Sequence, residues 1–205
     1  MKITNWKIKY FDEIDSTQKY LLKRVEKEDL NYYCVWSDFQ TNGIGTKGRS
    51  WKGERGNLFF SFVVNLEEFN FVPIQSLSVY FSYLMYEVLK RYDKRITLKW
   101  ANDLYILDNE PKKLGGVLVN IKRKKIVCGI GINTKFAPKI KEYKTASLNG
   151  KIKNDRILEE FFLKVEKKRK WEDIFIEYEK IFNENKEIFN IRGVLNKDAS
   201  LKDDK

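Results

Sequence analysis

The sequence predicts an α+β fold, a mixed and largely antiparallel sheet packed with helices. Three observations carry that reading. Residues 58–66 form a nearly continuous apolar run containing Phe59, Phe60, Phe62, Val63 and Val64, as a strand buried on both faces requires. Four short β-rich runs at 96–100, 104–107, 116–121 and 125–132 follow one another across polar turns, one of them Asp108-Asn109-Glu110-Pro111. That is the pattern of consecutive antiparallel strands. From Ile74 onward, apolar residues recur at Leu77, Phe81, Leu84, Met85, Val88, Leu89 and Tyr92, which is the spacing of a core helix.

The remaining elements follow in order. Residues 3–11 alternate and read as a strand. Asp15 or Ser16 can cap a helix carrying Tyr20, Leu21, Leu22 and Val25. Residues 32–36 read as a second strand, and 42–56 as a loop rich in glycine and cations. Residues 133–147 form another loop. Asp155 can cap a helix carrying Ile157, Leu158, Phe161, Phe162 and Val165, and 171–182 continues in helical register. Beyond residue 182 the chain turns polar, with one apolar patch at 188–195. The expected organisation is a single domain over 1–182 and a short tail over 183–205.

Composition narrows the chemistry. With 205 residues and 42% hydrophobic content the chain can bury a core of its own. No apolar run reaches membrane-spanning length, and residues 1–10 lack a signal-peptide core. Cys34 and Cys128 lie in apolar strand-like runs and read as buried thiols of a reducing, cytoplasmic protein. There is no histidine. That excludes a Ser-His-Asp triad, a Cys-His pair and a histidine-ligated metal, and two cysteines cannot build a zinc finger, so no metal-ligand set is expected from the protein. Proton transfer falls to Lys, Asp, Glu, Tyr, substrate or water. The net charge of +11 fits either a solvated lysine-rich surface or attraction to anions, and charge alone does not choose.

Three segments can carry chemistry. Gly43-Ile44-Gly45-Thr46-Lys47-Gly48-Arg49-Ser50-Trp51 lets backbone N–H groups approach an anion, adds two cations and ends on a flat ring. It is not a Walker A loop, because Arg49-Ser50 follows Gly48. Lys99-Trp100-Ala101-Asn102-Asp103-Leu104 precedes Lys113-Leu114-Gly115-Gly116, where a lysine enters a strand beside two glycines. A hairpin-tip charge is the plainer reading of that lysine. Gly129-Ile130-Gly131-Ile132-Asn133 is a strand whose glycines permit close backbone approach, or simply tight sheet packing.

Taken in this order, the segments resemble the biotin–protein ligase family. The family's Asp-Ser-Thr-Asn-Gln is matched by Asp15-Ser16-Thr17-Gln18-Lys19, and its glycine-arginine loop, preceded by a glutamine, by Gln40 and residues 43–51. Its Lys-Trp-Pro-Asn-Asp-Leu is matched by residues 99–104 with Ala101 for proline, its Lys-Leu-x-Gly by 113–116, and its Gly-x-Gly-x-Asn by 129–133. A weaker match is Thr145-Ala146-Ser147-Leu148. The resemblance covers about residues 8–182. Two loop arginines of the family are Ile44 and Thr46 here, which leaves Lys47 and Arg49 as the loop's cations.

The resemblance implies the fold of class II aminoacyl-tRNA synthetase-like, biotin–lipoate ligase catalytic domains. It also implies a monofunctional enzyme without the N-terminal DNA-binding winged helix, and a tail that is a reduced or truncated remnant of an SH3-like barrel. The implied activity joins biotin to ATP, with Mg²⁺, as biotinyl-5′-AMP and passes biotin to a lysine of a biotin carboxyl carrier protein. Lys113, Arg49 and Asp103 are the implied catalytic residues. Ser16, Thr17, Gln18, Gln40, Gly43, Ile44, Gly45, Thr46, Gly115 and Gly116 would hold biotin. Lys47, Gly48, Arg49, Trp51, Asn102, Lys113 and Asn133 would hold the nucleotide. Neither specific DNA nor a membrane is an expected partner, and a homodimer stays open. The competing readings are a lipoate–protein ligase, a nucleic-acid-binding module and a biotin-binding pseudo-enzyme.

Overall fold

The computed structural model describes residues 5–203. The elements are β1 (Lys7–Ile14), α1 (Thr17–Arg24), β2 (Tyr33–Gln40), β3 (Leu58–Asn65), α2 (Leu77–Leu89), β4 (Ile96–Lys99), β5 (Asp103–Leu107), β6 (Pro111–Lys122), β7 (Lys125–Ile132), α3 (Asn154–Glu166), α4 (Trp171–Asn185), β8 (Val194–Leu195) and β9 (Leu201–Lys202). Strands β1 to β7 form one sheet in the order β1-β2-β3-β7-β6-β5-β4. Only β1 and β2 pair in parallel, so the sheet is mixed and largely antiparallel, as the sequence predicts. The first strand begins later than expected, at Lys7, and residues 3 and 4 of that expectation lie outside the described residues.

The two faces of the sheet differ. Along β3, Phe60, Phe62 and Val64 point into the main core, where Phe62 meets Phe81 of α2 and Phe161 and Phe162 of α3 edge-on. The alternate residue Val63 joins Val35 of β2 and Val127 of β7 under Leu21 and Val25 of α1. A strand buried on both sides has little polar face to show, which is why β3 reads as a nearly continuous apolar run. Helix α1 is only eight residues long and covers part of the second face; the uncovered remainder holds the cavity described below.

Ser16 caps α1, its Oγ accepting from the backbone N–H of Lys19. At α3 the cap position is Lys153, and Asp155 sits inside the first turn, where a carboxylate still favours the positive helix end. The larger correction concerns Lys113. Strand β6 starts at Pro111, so the lysine lies inside a strand rather than at a hairpin tip, and its side chain is only 12% exposed.

A bulge aims that lysine. Asp103 pairs with Gly116 and Tyr105 with Lys113, so three steps along β6 match two along β5, with the shift at Leu104/Tyr105. Side chains alternate faces along a regular strand, and residues 113 and 116 would then point to opposite sides. The extra residue puts Lys113 on the same face as Asp103 and Gly116.

Helix α4 runs past residue 182 to Asn185, and the chain beyond it returns to the main core. Leu195 and Ala199 are buried there. Trp100 Nε1 donates to the Ala199 carbonyl at 2.8 Å and Trp171 Nε1 to that of Lys197 at 2.9 Å.

Glu68 ties several of these parts together. Its carboxylate accepts from Asn31, Tyr32, Asn65 and Lys168. Burial pushes this carboxyl up, but the hydrogen bonds from Lys168, Tyr32 and Asn31 outweigh it and hold it at about 2, below its ordinary 4.5. A carboxyl lowered by folding stabilises the fold above its ordinary value and loses that contribution as pH falls toward the folded value. Glu68→Gln should therefore be less stable than the natural protein at pH 7, and the gap should narrow between about pH 4.5 and pH 2. Urea unfolding at both ends of that range measures it; a gap independent of pH would mean that the carboxylate's charge contributes nothing.

Candidate active site

The second face of the sheet opens into a cavity of about 500 Å³. Its floor is the middle of β3, β7 and β6, contributing Phe60 and Ser61, Gly129 to Gly131, and Gly116 to Leu118. One end is polar and uncharged. Ser16, Thr17 and Gln18 enter it from the start of α1, all of them buried. Gln40 Oε1 accepts from the Thr17 N–H at 2.8 Å and from Thr17 Oγ1 at 3.1 Å, which pins the amide and leaves its Nε2 free to donate. Thr17 Oγ1 also lies 2.9 Å from Ser61 Oγ. Gln18 Nε2 donates to Asn120 Oδ1 and to the Val127 carbonyl, so its Oε1 points over Gly129 with no partner. Buried polar atoms rarely stay unpaired, and this one marks a place where a donor fits.

The other end is charged. Lys113 Nζ pairs with Asp103 Oδ2 at 2.8 Å. Asp103 follows a turn stitched to β6: Asn102 Nδ2 donates to the Val117 carbonyl, and Val117 N–H to the Asn102 carbonyl at 3.0 Å. Over this end lies Trp51. A methyl at Gly131 would sit 2.5 Å from the indole nitrogen, so glycine is what lets the ring lie on the strand. The loop bearing Trp51 is a small hairpin, closed by Trp51 N–H to the Gly43 carbonyl and by Gly45 N–H to the Arg49 carbonyl. Arg49 folds back, its Nη2 donating to Thr46 Oγ1 at 2.9 Å. Arg49, Lys52, Lys113, Lys139 and Lys141 line the cavity against only Asp103 and Glu142. Burial first, and Asp103 second, push the Tyr143 hydroxyl above its ordinary range, and the same causes take Tyr105 up to about 12.

Most residues singled out in the sequence meet here: Ser16, Thr17, Gln18, Gln40, Ile44, Gly45, Thr46, Arg49, Trp51, Asn102, Asp103, Lys113 and Gly116. Five are off the lining. Gly43 supports the loop from behind, where a methyl would meet the Trp51 carbonyl at 2.7 Å. Lys47 and Gly48 form the hairpin's tip, both at positive φ, and Lys47 is exposed. Gly115 faces Ile132, which a methyl would overlap at 2.5 Å; tight packing, rather than contact with a ligand, requires that glycine. Asn133 is buried beside Asn57, its backbone paired with Leu114 and Leu148.

Sequence reasoning missed Ser61 and residues 139–143. Ser61 had a signal, as a polar residue in the middle of the apolar run. Residues 139–143 had none beyond their cations and aromatic ring.

The Biotin/lipoate A/B protein ligase family model matches residues 10–136, more than half of the chain. The chain belongs to this family. Among family members, it is 39% identical over 127 residues to the bifunctional ligase/repressor BirA of Salmonella typhimurium, covering 58% of this chain and 38% of that protein. It therefore spans well under half of that curated relative. A Helicobacter pylori biotin acetyl coenzyme A carboxylase synthetase, solved with bound biotinylated ATP, superposes with a TM-score of 0.77 at 31% identity, covering 97% of this chain and 90% of that one. An Aquifex aeolicus biotin protein ligase in complex with biotin and ATP gives 0.73 at 26%, covering 85% and 78%.

The glycine floor of this family member can be tested by overpacking. Gly131→Ala should destabilise by about 1–3 kcal/mol in urea unfolding, because the new methyl displaces the indole. Gly116→Ala should cost less: its nearest neighbours are the mobile Asp103 carboxylate at 2.9 Å and the ring at 3.5 Å. Equal costs for the two would show that the indole is not held against β7.

Proposed function

We propose that this chain activates biotin with ATP and transfers it to a carrier lysine. The observation that carries the reading is one cavity with an uncharged hydrogen-bonding end and a lysine at the other. Biotin is bipolar in the same sense: a cyclic urea with an oxygen acceptor and N–H donors, and a carboxylate on a chain. Gln40 Nε2 is free to donate to the urea oxygen, and Gln18 Oε1 lacks the donor that a urea N–H supplies. The dithiolane of lipoate has no N–H, so this end favours biotin over the lipoate alternative, to which the family extends.

In the first step a carboxylate oxygen attacks the α-phosphorus of ATP, the bond to pyrophosphate breaks and biotinyl-5′-AMP forms. The difficulty is electrostatic, because two anions must approach. Lys113 offers its ammonium to both sets of oxygens, Arg49 and the glycine loop offer donors to phosphate, and Trp51 offers a face to the base. In the second step the carrier lysine's amine attacks the acyl carbon, AMP leaves and a proton passes to solvent. Asp103, relieved of Lys113 by the bound anions, is placed to orient the incoming amine. Mg²⁺ would neutralise phosphate charge; Asp103 and Glu142 are the lining carboxylates near it, which suits an ion carried in by the nucleotide rather than held in a protein cage.

The partner is then a biotin carboxyl carrier protein in the cytoplasm. No described helix is long and apolar enough to cross a membrane. DNA binding, where it occurs, is non-specific and salt-sensitive. A homodimer could form along the outer edge of β1, the terminal strand.

Incubation with ATP, Mg²⁺ and either biotin or lipoate, followed by mass detection of the acyl-AMP, tests the reading. Biotinyl-AMP is expected with biotin, and lipoyl-AMP as the main product would transfer the chain to the other branch of the family. Lys113→Gln, which keeps a hydrogen bond to Asp103, should slow adenylate formation by about 10²–10³-fold, the usual cost of losing a charge-stabilising donor. An undiminished rate would remove Lys113 from the chemistry.

Thr46 yields a separate expectation. Restoring a guanidinium by Thr46→Arg should slow release of biotinyl-AMP about tenfold, the worth of a charged hydrogen bond. Lys47→Ala should leave release unchanged, because Lys47 sits at the hairpin tip. A fast-releasing Lys47→Ala variant would show instead that the tip folds down onto the phosphate.

A further inference from the structure

Among the described residues, the ammonium of Lys113 pairs with one carboxylate and lies against two aromatic rings. Asp103 Oδ2 lies at 2.8 Å. The ring centroids of Trp51 and Tyr143 lie at 5.5 and 5.4 Å. Aromatic faces carry negative potential and attract a cation without accepting a hydrogen bond from it. Asp103 engages one N–H of the ammonium, and the rings leave the other two available for oxygen. The lysine side chain is 12% exposed, so water screens the attraction little.

The placement of Tyr143 is built by the backbone. Its segment is zipped to the strand that bears the lysine: Lys113 N–H donates to the Lys144 carbonyl at 2.8 Å, and Ala146 N–H to the Lys113 carbonyl at 2.9 Å. Lys113 and Thr145 form a parallel bridge. The ring therefore hangs one residue from the lysine's own backbone partner. Tyr143 is 38% exposed and belongs to neither hydrophobic core cluster, so core packing does not account for its position.

We propose that Tyr143 is a positioning residue for Lys113. Its ring and that of Trp51 hold the ammonium at the reacting end while Lys113 exchanges Asp103 for the oxygens of the substrates. A lysine has a flexible four-carbon stem, and an ammonium released by its carboxylate would otherwise swing toward solvent. The inference rests on the role given to Lys113 above, and its test separates the two.

Tyr143→Leu keeps an apolar side chain and removes the ring. It should lower kcat for biotinyl-AMP formation about three- to tenfold, the range of a partly desolvated cation–π contact, with KM for biotin and ATP little changed. Tyr143→Phe and Tyr143→Trp, which keep a ring, should restore the rate. A second readout does not depend on activity: competitive acetylation with acetic anhydride, followed by peptide mass mapping, should label Lys113 faster in Tyr143→Leu than in Tyr143→Phe. A Leu variant with unaltered kcat, or a Phe variant as slow as Leu, overturns the proposal. If the natural protein makes no biotinyl-AMP, the ligase reading fails by itself and the acetylation result decides Tyr143: equal labelling in the two variants refutes it, and faster labelling in Leu upholds it.

Discussion

Everything at the charged end of the cavity depends on how closely an indole can lie against a β-sheet. Gly116 and Gly131 are register partners on neighbouring strands, so together they bare a patch of backbone. The Trp51 ring rests on that patch, and a side chain at Gly131 would occupy its space. With the ring seated, the hairpin carrying it has a fixed base, and the Gly43 carbonyl, the turn at Thr46 and the folded-back Arg49 take their places from it. The same ring bounds Lys113 on one side. Glycine is a poor strand residue by propensity, and its presence in two adjacent strands reflects what must approach them.

Much of this was legible in the sequence. The buried strand at 58–66, the core helix after 74 and the run of antiparallel strands follow from periodicity alone, and the ordered motifs identify the ends of the cavity. Other features were not legible, for physical reasons. Periodicity reports which residues are apolar but not where a register slips, so the bulge near Leu104 and the true setting of Lys113 needed three dimensions. A glycine motif does not say which face each glycine serves: Gly116 opens onto the cavity while Gly115 makes room for Ile132. Asn133 resembles a ligand residue by its motif yet is buried in the framework beside Asn57. Residues 139–143 reach the site only because the chain doubles back along β6, a long-range contact that local sequence does not encode.

The net charge also resolves into parts. Away from the cavity many cations are paired, as Arg169 is with Glu87 and Glu177, Lys168 with Glu68, and Lys122 with Glu26. At the cavity the balance tips to five cations against two carboxylates, which is where an anionic substrate benefits from it. Burial pushes both thiols, Cys34 and Cys128, well up, and there is no histidine to change charge near neutrality.

The bulge between β5 and β6 sets a rule of parity on this stretch of chain. The turn before Pro111 joins two strands at the surface, and its length is free to drift among relatives without moving anything inside. The four residues from Lys113 to Gly116 have no such freedom. Lys113 and Gly116 share a face only while the surplus residue stays bulged; regular alternation over the same four residues would send either the lysine or the glycine to the dry side of the sheet, among Leu104, Ile132 and Val117. A change of one residue in length between Lys113 and Gly116 must therefore be matched by a change in the bulge, a condition that the turn before Pro111 does not carry.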